Sequence, residues 1–279
     1  MKILVPLKRT ADPDNANKIK IAPGGGKITT EGLESKPNPF DEYAVETSLR
    51  LTENGTNPKV RNAGDSVVIA SFGPKEAAQT IRQALAMGAD SGLLFETTDE
   101  QLDGDLVARA LAKIVEKEAP DLIVMGKQAV DGDSNQVAQI LSELLGWPCA
   151  TFAMSVELAA DKKSIVVGRE VDAGVLRLKL TLPAIVSVDL RIVAPKAVSN
   201  HVTPATHTYQ DGPRYAPLPM IMAAKKKTIV EAPLASLGID VGLKSRYVSF
   251  EQPPTRKAGV KVKDVGELVA KLHTEAKVL

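Results

Sequence analysis

The sequence predicts an α/β protein: a doubly wound, mostly parallel sheet with an antiparallel β extension and a long C-terminal arm. Three observations carry this. Short apolar runs of strand length at residues 3–7, 67–71, 92–95 and 122–125 alternate with longer stretches of helical periodicity. From Thr151 the texture turns β-rich. From Pro195 onward proline is frequent and apolar periodicity fades. Strands that alternate with helices wind into a parallel sheet, whose ligands sit outside the C-terminal strand ends.

Residues 3–7 read as a buried first strand. Asp12-Pro13-Asp14 opens a polar excursion in which residues 18–21 and 27–30 can pair as a hairpin around Pro23-Gly24-Gly25-Gly26. That glycine run is not a phosphate loop, because the pattern needs Gly where Ile21 stands and Ser or Thr where Ile28 stands. Asn38-Pro39-Phe40-Asp41-Glu42 is a strong helix start: Asn as cap, Pro at the first helical position, acids in the first turn. The helix should run to about Glu53 and stop at Asn54-Gly55. Gly73-Pro74 leads into a second helix closed by Gly88. A third, from Gly104 to Glu118, carries Leu106, Val107, Ala110, Leu111, Ile114 and Val115 on its apolar face.

Residues 152–158, 164–171, 175–180 and 185–190 are expected to extend or cover the sheet as antiparallel strands. In the tail only 265–272 looks helical. Met220, Ile221, Met222, Leu234 and Leu237 have no domain around them, which suggests an arm packed on another chain.

The stretch from Asp121 to Trp147 organises the chain. After the strand at 122–125, Gly126 opens a polar loop, and Val137, Ile140, Leu141, Leu144 and Leu145 then share one helical face. A helix is therefore expected from about Ser134–Asn135, capped by Asp133 or Ser134 and ended by Gly146. Such a joint gathers free backbone N–H groups at the positive end of a helix dipole, which suits a phosphate. Most strand–loop–helix joints bind nothing; what marks this one is its density of side chains able to meet a base or a ribose. Asp131 and Asp133 would repel a phosphate, so they are expected to face ribose hydroxyls or cap the helix.

Composition excludes several classes. A net charge of +1 gives no electrostatic case for nucleic acid, and at 4% aromatic residues stacking platforms for bases are scarce. The single Cys149 rules out an intrachain disulfide framework and fits a reducing compartment. His201, His207 and His273 lack companions at metal-ligand spacing, so no metal site is expected. No G-x-S-x-G elbow is present, and no histidine lies in the α/β half to serve a nucleophile. Lys225-Lys226-Lys227 reads most simply as a solvated basic face, and Arg169-Glu170 as a surface pair or a contact with a second subunit. No apolar run reaches membrane-spanning length, and residues 1–7 are too short for a signal peptide. On pattern alone a stand-alone, homo-oligomeric nucleotide-binding regulatory protein is the alternative.

The loop GKQAVDGDSNQVAQ resembles the nucleotide loop of electron transfer flavoprotein beta subunits. NPFDEYAVE at 38–46, TIRQALAMGAD at 80–90, GREVDAG at 168–174, LPAIVSVDLR at 182–191, RYAPLPMIMAAKKK at 214–227 and PPTRKAGVKV at 253–262 resemble the same family in the same order. The resemblance covers nearly the whole chain. It implies a non-enzymatic electron-carrier subunit that binds one structural AMP and pairs with an alpha subunit holding the redox-active FAD. The heterodimer would take electrons from flavin dehydrogenases, such as acyl-CoA dehydrogenases, and pass them to a membrane quinone oxidoreductase. Bacterial cytoplasm or mitochondrial matrix would be its compartment.

Carried over by position, the AMP contacts implied are Pro6, Asn38, Pro39, Phe40, Asp41 and Phe72. With them comes the loop Gly126, Lys127, Gln128, Ala129, Val130, Asp131, Gly132, Asp133, Ser134, Asn135, Gln136 and Val137. Glu170 matches the acid that pairs with an alpha-subunit arginine near the flavin. Leu218 matches the leucine that anchors the complex in a dehydrogenase pocket. Some family members bind a second FAD in place of AMP and bifurcate electrons. Here Asn135-Gln136-Val137-Ala138-Gln139 is nearer the AMP type, although Asp131-Gly132-Asp133 resembles the other. The organisation expected is a nucleotide-binding α/β domain at 1–191, a recognition segment with an insertion at 192–224, and an arm at 225–279 packing on the partner.

Overall fold

The computed structural model describes residues 1–55, 60–255 and 258–279; Arg256 and Lys257 of the PPTRKAGVKV stretch lie outside the described residues. In order, the chain forms β1 (Lys2–Pro6), β2 (Arg9–Ala11), β3 (Lys20–Ile21), β4 (Ile28–Thr29), β5 (Ser35–Pro37) and α1 (Pro39–Thr52). Next come β6 (Ser66–Gly73), α2 (Ala77–Met87), β7 (Ser91–Glu96), α3 (Gly104–Glu118), β8 (Leu122–Gly126) and α4 (Val137–Leu145). Then follow β9 (Cys149–Leu158), β10 (Ser164–Val171), β11 (Gly174–Thr181), β12 (Ala184–Val188) and β13 (Val198–Ser199). The chain closes with α5 (Leu218–Ala224), β14 (Ile229–Pro233) and α6 (Val265–Lys271).

One compact unit comprises residues 1–20 and 30–246, and is built on a sheet in the order β11-β10-β9-β12-β8-β1-β6-β7-β14, with β13 beside β9. From β9 to β14 along that order every pair is parallel; β9, β10 and β11 are mutually antiparallel neighbours. The doubly wound sheet with an antiparallel extension is therefore as the sequence predicts, with one exception. β12 is not part of the extension: it is fully buried and lies parallel between β8 and β9. Its unbroken run AIVSV has no polar face to offer water, as an interior parallel strand requires.

Side-chain alternation sends the strands' residues to two cores. Ile3, Val5, Val124 and Val186 meet Val45 and Leu49 of α1 and Leu85 of α2. Leu4, Ile123 and Ile185 meet Leu106 and Leu111 of α3 and Leu141 of α4. Helix α3 has the bounds read from its sequence: Asp103 accepts the Leu106 N–H at 2.8 Å as its cap, and Ala119 closes it in the left-handed conformation. β14 and α5 had no signal in the sequence. β14 is apolar only in part and owes its strand state to the parallel pairing with β7.

The second unit comprises residues 21–29 and 247–279. Within it the Phe250 N–H donates to Gly25 O at 2.8 Å. Helix α6 is capped by Asp264, which accepts the Glu267 N–H at 2.8 Å. Val248, Val260 and Val265 are exposed there. No helix among the described residues is long and apolar enough to cross a membrane.

Candidate functional site

The sheet reverses its winding between β1 and β8: from β1 the chain moves outward to β6 and β7, then crosses back to β8 on the other side. In such sheets the crevice outside the carboxyl ends at this point is where ligands bind. Pro6 ends β1 and Gly126 ends β8, so both flank it. The N-terminus of α1 enters the same crevice. Asp41, buried, accepts the Lys8 N–H at 2.8 Å on one oxygen and the Gly126 N–H at 3.2 Å on the other. One carboxylate thus joins the loops that follow the two diverging strands. Burial pushes its pKa up to about 7, against the opposing pull of the Lys8 and Gly126 N–H groups and the Asn38 amide.

Gly126 is required by this closeness. A Cβ there would lie 2.4 Å from Asp41 Oδ1 and 2.6 Å from Phe40 Cβ.

Asn38 stands at the cap position of α1, but its side chain makes no cap bond. Its Nδ2 donates to Gln128 O at 2.8 Å, and its Oδ1 accepts the Val130 N–H at 3.1 Å. The residue type was legible as a helix start; its partners, 90 residues away, were not. Pro39 at the first helical position leaves no N–H orphaned there.

The loop from Lys127 to Gln136 runs over the crevice and is largely exposed. Lys127 is drawn back to the sheet: its Nζ donates to Asp189 at 2.7 Å and lies 5.2 Å from the Phe40 ring centre. Lys8 pairs with Asp131 at 2.6 Å, and Gln128 Nε2 donates to Asp133 Oδ1 at 2.7 Å. Ala129 O accepts from both Gly132 and Asp133 N–H.

The expected start of α4 needs correction. It begins at Val137 rather than near Ser134, because Asp133 and Asn135 both take positive φ, of 48° and 45°. Neither Asp133 nor Ser134 caps it, and Gln136 at the cap position makes no side-chain bond to the helix. The first turn of α4 carries no acid. Among the described residues its first N–H groups thus have no side-chain cap, beside a loop whose Asp131 is paired with Lys8.

Phe72, nearly buried at the end of β6, stacks on Phe95 with ring centres 5.8 Å apart. It lies near the C-terminal end of the strand beside β1, and its side chain belongs to the core on the α3 and α4 side. Glu170 and Leu218 belong to other places. Glu170, on β10, is ion-paired with Arg191. Leu218, 70% exposed, begins α5 after Pro217, which is in the extended conformation. The lysine triplet is not uniformly solvated: Lys225 and Lys226 are exposed, but Lys227 reaches inward to two carbonyl groups of α2 and the turn after it. Among the described residues no group of His, Cys, Asp or Glu could hold a metal ion.

Sequence reasoning missed Lys8 and Asp189, the partners of the loop's Asp131 and Lys127. No local pattern marks either.

Fold and crevice together define a doubly wound α/β protein with a loop-covered switch point and extra strands added at both sheet edges. An electron transfer flavoprotein domain matches residues 25–237. The chain is 45% identical to the electron transfer flavoprotein subunit beta of Bradyrhizobium diazoefficiens, with all of both chains covered. It is 42% identical to that of Mus musculus, over 98% of this chain and 96% of the relative. The mitochondrial subunit of Arabidopsis thaliana is 39% identical over the full length of both. The chain belongs to the electron transfer flavoprotein family, as a beta subunit.

Proposed function

We propose that this subunit holds one AMP in the crevice between β1 and β8 and pairs with an alpha subunit that carries the redox-active FAD. The observation that supports it most is the way Asn38 ties the loop to α1 while the N-terminus of α4 keeps its N–H groups free of side-chain acceptors. Those N–H groups, with Ser134, Asn135, Gln136 and Val137, would hold the phosphate. Gly126 through Asp133, with Pro6, Asn38, Pro39, Phe40, Asp41 and Phe72, would enclose the nucleoside. Pairing of Asp131 with Lys8 removes much of the repulsion a phosphate would meet.

The nucleotide is structural in this reading, and the chain makes and breaks no bonds. The FAD supplies the redox chemistry; this subunit encloses and orients its partner. Electrons would arrive from flavin dehydrogenases of the acyl-CoA type, with Leu218 as the anchor in a dehydrogenase pocket, and leave to a quinone oxidoreductase. Glu170 would meet an alpha-subunit arginine, exchanging its present partner Arg191. Of the arm expected at 225–279, residues 225–246 belong to the sheet-bearing unit, where β14 pairs with β7 and Leu234 and Leu237 are buried in this chain's own core. Residues 247–279, with their exposed valines, would serve as the arm on the partner subunit. Bacterial cytoplasm or mitochondrial matrix is the compartment this function requires.

The test is to co-express the chain with its alpha subunit, denature the purified complex and quantify the nucleotides released. One FAD and one AMP per heterodimer is the expected result. Two FAD and no AMP would instead make it a bifurcating subunit. A flavin-free chain that is stable alone would point to the stand-alone regulatory protein.

A further inference from the structure

Helix α5 has only seven residues, too few to persist unaided, yet it displays a largely exposed apolar face. Leu218 is 70% exposed, Met222 54% and Ile221 41%, and Tyr215 just before the helix is 90% exposed. What keeps this short element in place is a pair of cationic clamps, one at each end.

The first is Arg214. Its Nε donates to Glu46 Oε2 at 2.7 Å and its Nη1 to Glu53 Oε1 at 2.6 Å. Its Nη2 is shared between Glu46 Oε1 at 3.2 Å and Glu53 Oε2 at 3.0 Å, and its backbone N–H reaches Glu46 Oε2 at 3.1 Å. Both carboxylates are buried, Glu46 midway along α1 and Glu53 at its C-cap. Burial would raise the pKa of Glu46, but Arg214 and Arg50 outweigh it and hold the group below its ordinary value.

The second clamp is reciprocal. Lys227, just beyond α5, donates through Nζ to Leu85 O at 3.0 Å and Ala89 O at 2.5 Å, at and after the end of α2. Arg82 of α2 donates in return to Ala224 O at 2.8 Å and to Lys227 O. Each helix end thus has its orphan carbonyls met by a cation from the other.

We propose that Arg214 and Lys227 are positioning residues, which hold α5 so that Leu218 and its apolar neighbours meet a flavin dehydrogenase as a preformed face. The inference rests on the docking role proposed above for Leu218. An apolar anchor binds well only if ordering its segment costs little at the moment of docking, and the clamps meet that cost within the folded subunit. Arg214 suits this role better than a lysine would. Its planar fork spans two carboxylates at once, whereas an ammonium is a single point of charge.

The test uses the whole heterodimer as electron acceptor for an acyl-CoA dehydrogenase supplied with its acyl-CoA. With Arg214→Lys, the KM for the heterodimer is expected to rise about tenfold. Turnover at saturation, FAD and AMP content, and flavin reduction by dithionite should stay within about twofold. Lys227→Met, which leaves the Arg214 cluster intact, should raise KM in the same direction and serves if Arg214→Lys does not fold. In a Leu218→Ala background neither clamp substitution should raise KM further, since both act through that anchor.

A KM unmoved by either clamp variant, or effects that add to Leu218→Ala in full, would overturn the clamp proposal while leaving the docking role standing. A KM unmoved by Leu218→Ala itself would overturn the docking role.

Discussion

The two ends of helix α1 fasten distant parts of the chain by opposite means. At the N-terminal end, Asn38 and Asp41 bond chiefly to backbone groups of the loops after β1 and β8. In its C-terminal half and at its cap, the buried Glu46, Arg50 and Glu53 join the partly buried Arg214 in a cluster of two acids and two arginines. Arg50 is spent completely there. It reaches Glu46 through Nε, Val193 and Ala194 carbonyls through Nη1, and Gln210 and Gly212 carbonyls through Nη2. Asn200 completes the joint by donating to the last carbonyls of the helix, those of Arg50, Leu51 and Glu53. Segment 192–213, whose purpose no sequence feature assigned, is thereby bound to α1.

The difference teaches what each end is for. Single hydrogen bonds to loop backbone, such as those of the Asn38 amide, are worth about 1 kcal/mol each and can be exchanged as a ligand enters. A compensated ion cluster cannot lose one member without stranding the others in a poorly solvated place. One end is a mouth, the other a fixed joint.

The largest expected effect falls on the joint. Arg50→Met leaves Glu46 short of a cation and four carbonyls without their donor, and should destabilise the protein by about 3–5 kcal/mol. Urea unfolding would show it as a lowered midpoint with an unchanged slope. A loss no larger than that of a surface charge would erase the distinction between the two ends.

The mouth should respond to pH instead. The Asp41 carboxyl in the folded protein titrates near about 7, above the ordinary carboxylate value of 3.8. The folded state thus keeps a proton that the unfolded chain has lost. Its contribution is full below about pH 4 and is lost as pH rises through 7, by on the order of 4 kcal/mol. Comparing stability from pH 5 to 8 with Asp41→Asn, which removes the titration, should show the slope flatten.

A smaller change is expected for Asn38→Ala, which frees Gln128 O and the Val130 N–H. It should cost about 1–2 kcal/mol, chiefly as raised hydrogen exchange at residues 126–133 and easier release of bound nucleotide. Equal protection in both proteins would mean that the loop holds itself without the amide.

Legibility in the sequence divides along the same line. Local signals were faithful: the proline and acids that open α1, the aspartate that caps α3, and the alternating run of β10 all correspond to observed elements. Signals that depend on remote partners were silent or misleading. Asn38 looked like a cap because nothing nearby reveals that its amide is bound to residues 128 and 130. Asp133 and Ser134 looked like caps too, but two left-handed residues delay the helix beyond their reach. The run at 184–188 follows the antiparallel strands in sequence, and only the sheet order shows that it returns to lie parallel between β8 and β9. Lys227 reads as solvated until α2 is placed beneath it. The candidate crevice was visible as a loop; its closure by Asp41, Lys8 and Asp189 was not.

The edge strand β14 has a consequence for how the chain is made. It covers the outer side of β7, with Ile229 to Pro233 in register with Gly92 to Glu96. During synthesis β7 emerges long before the strand that covers it, so a nascent chain carries an open apolar sheet margin for about half of its translation. Open margins of that kind pair with one another, and parallel closure over such a separation is slow. Chains truncated before residue 229 should therefore aggregate through β7 even though every element of the crevice is already present.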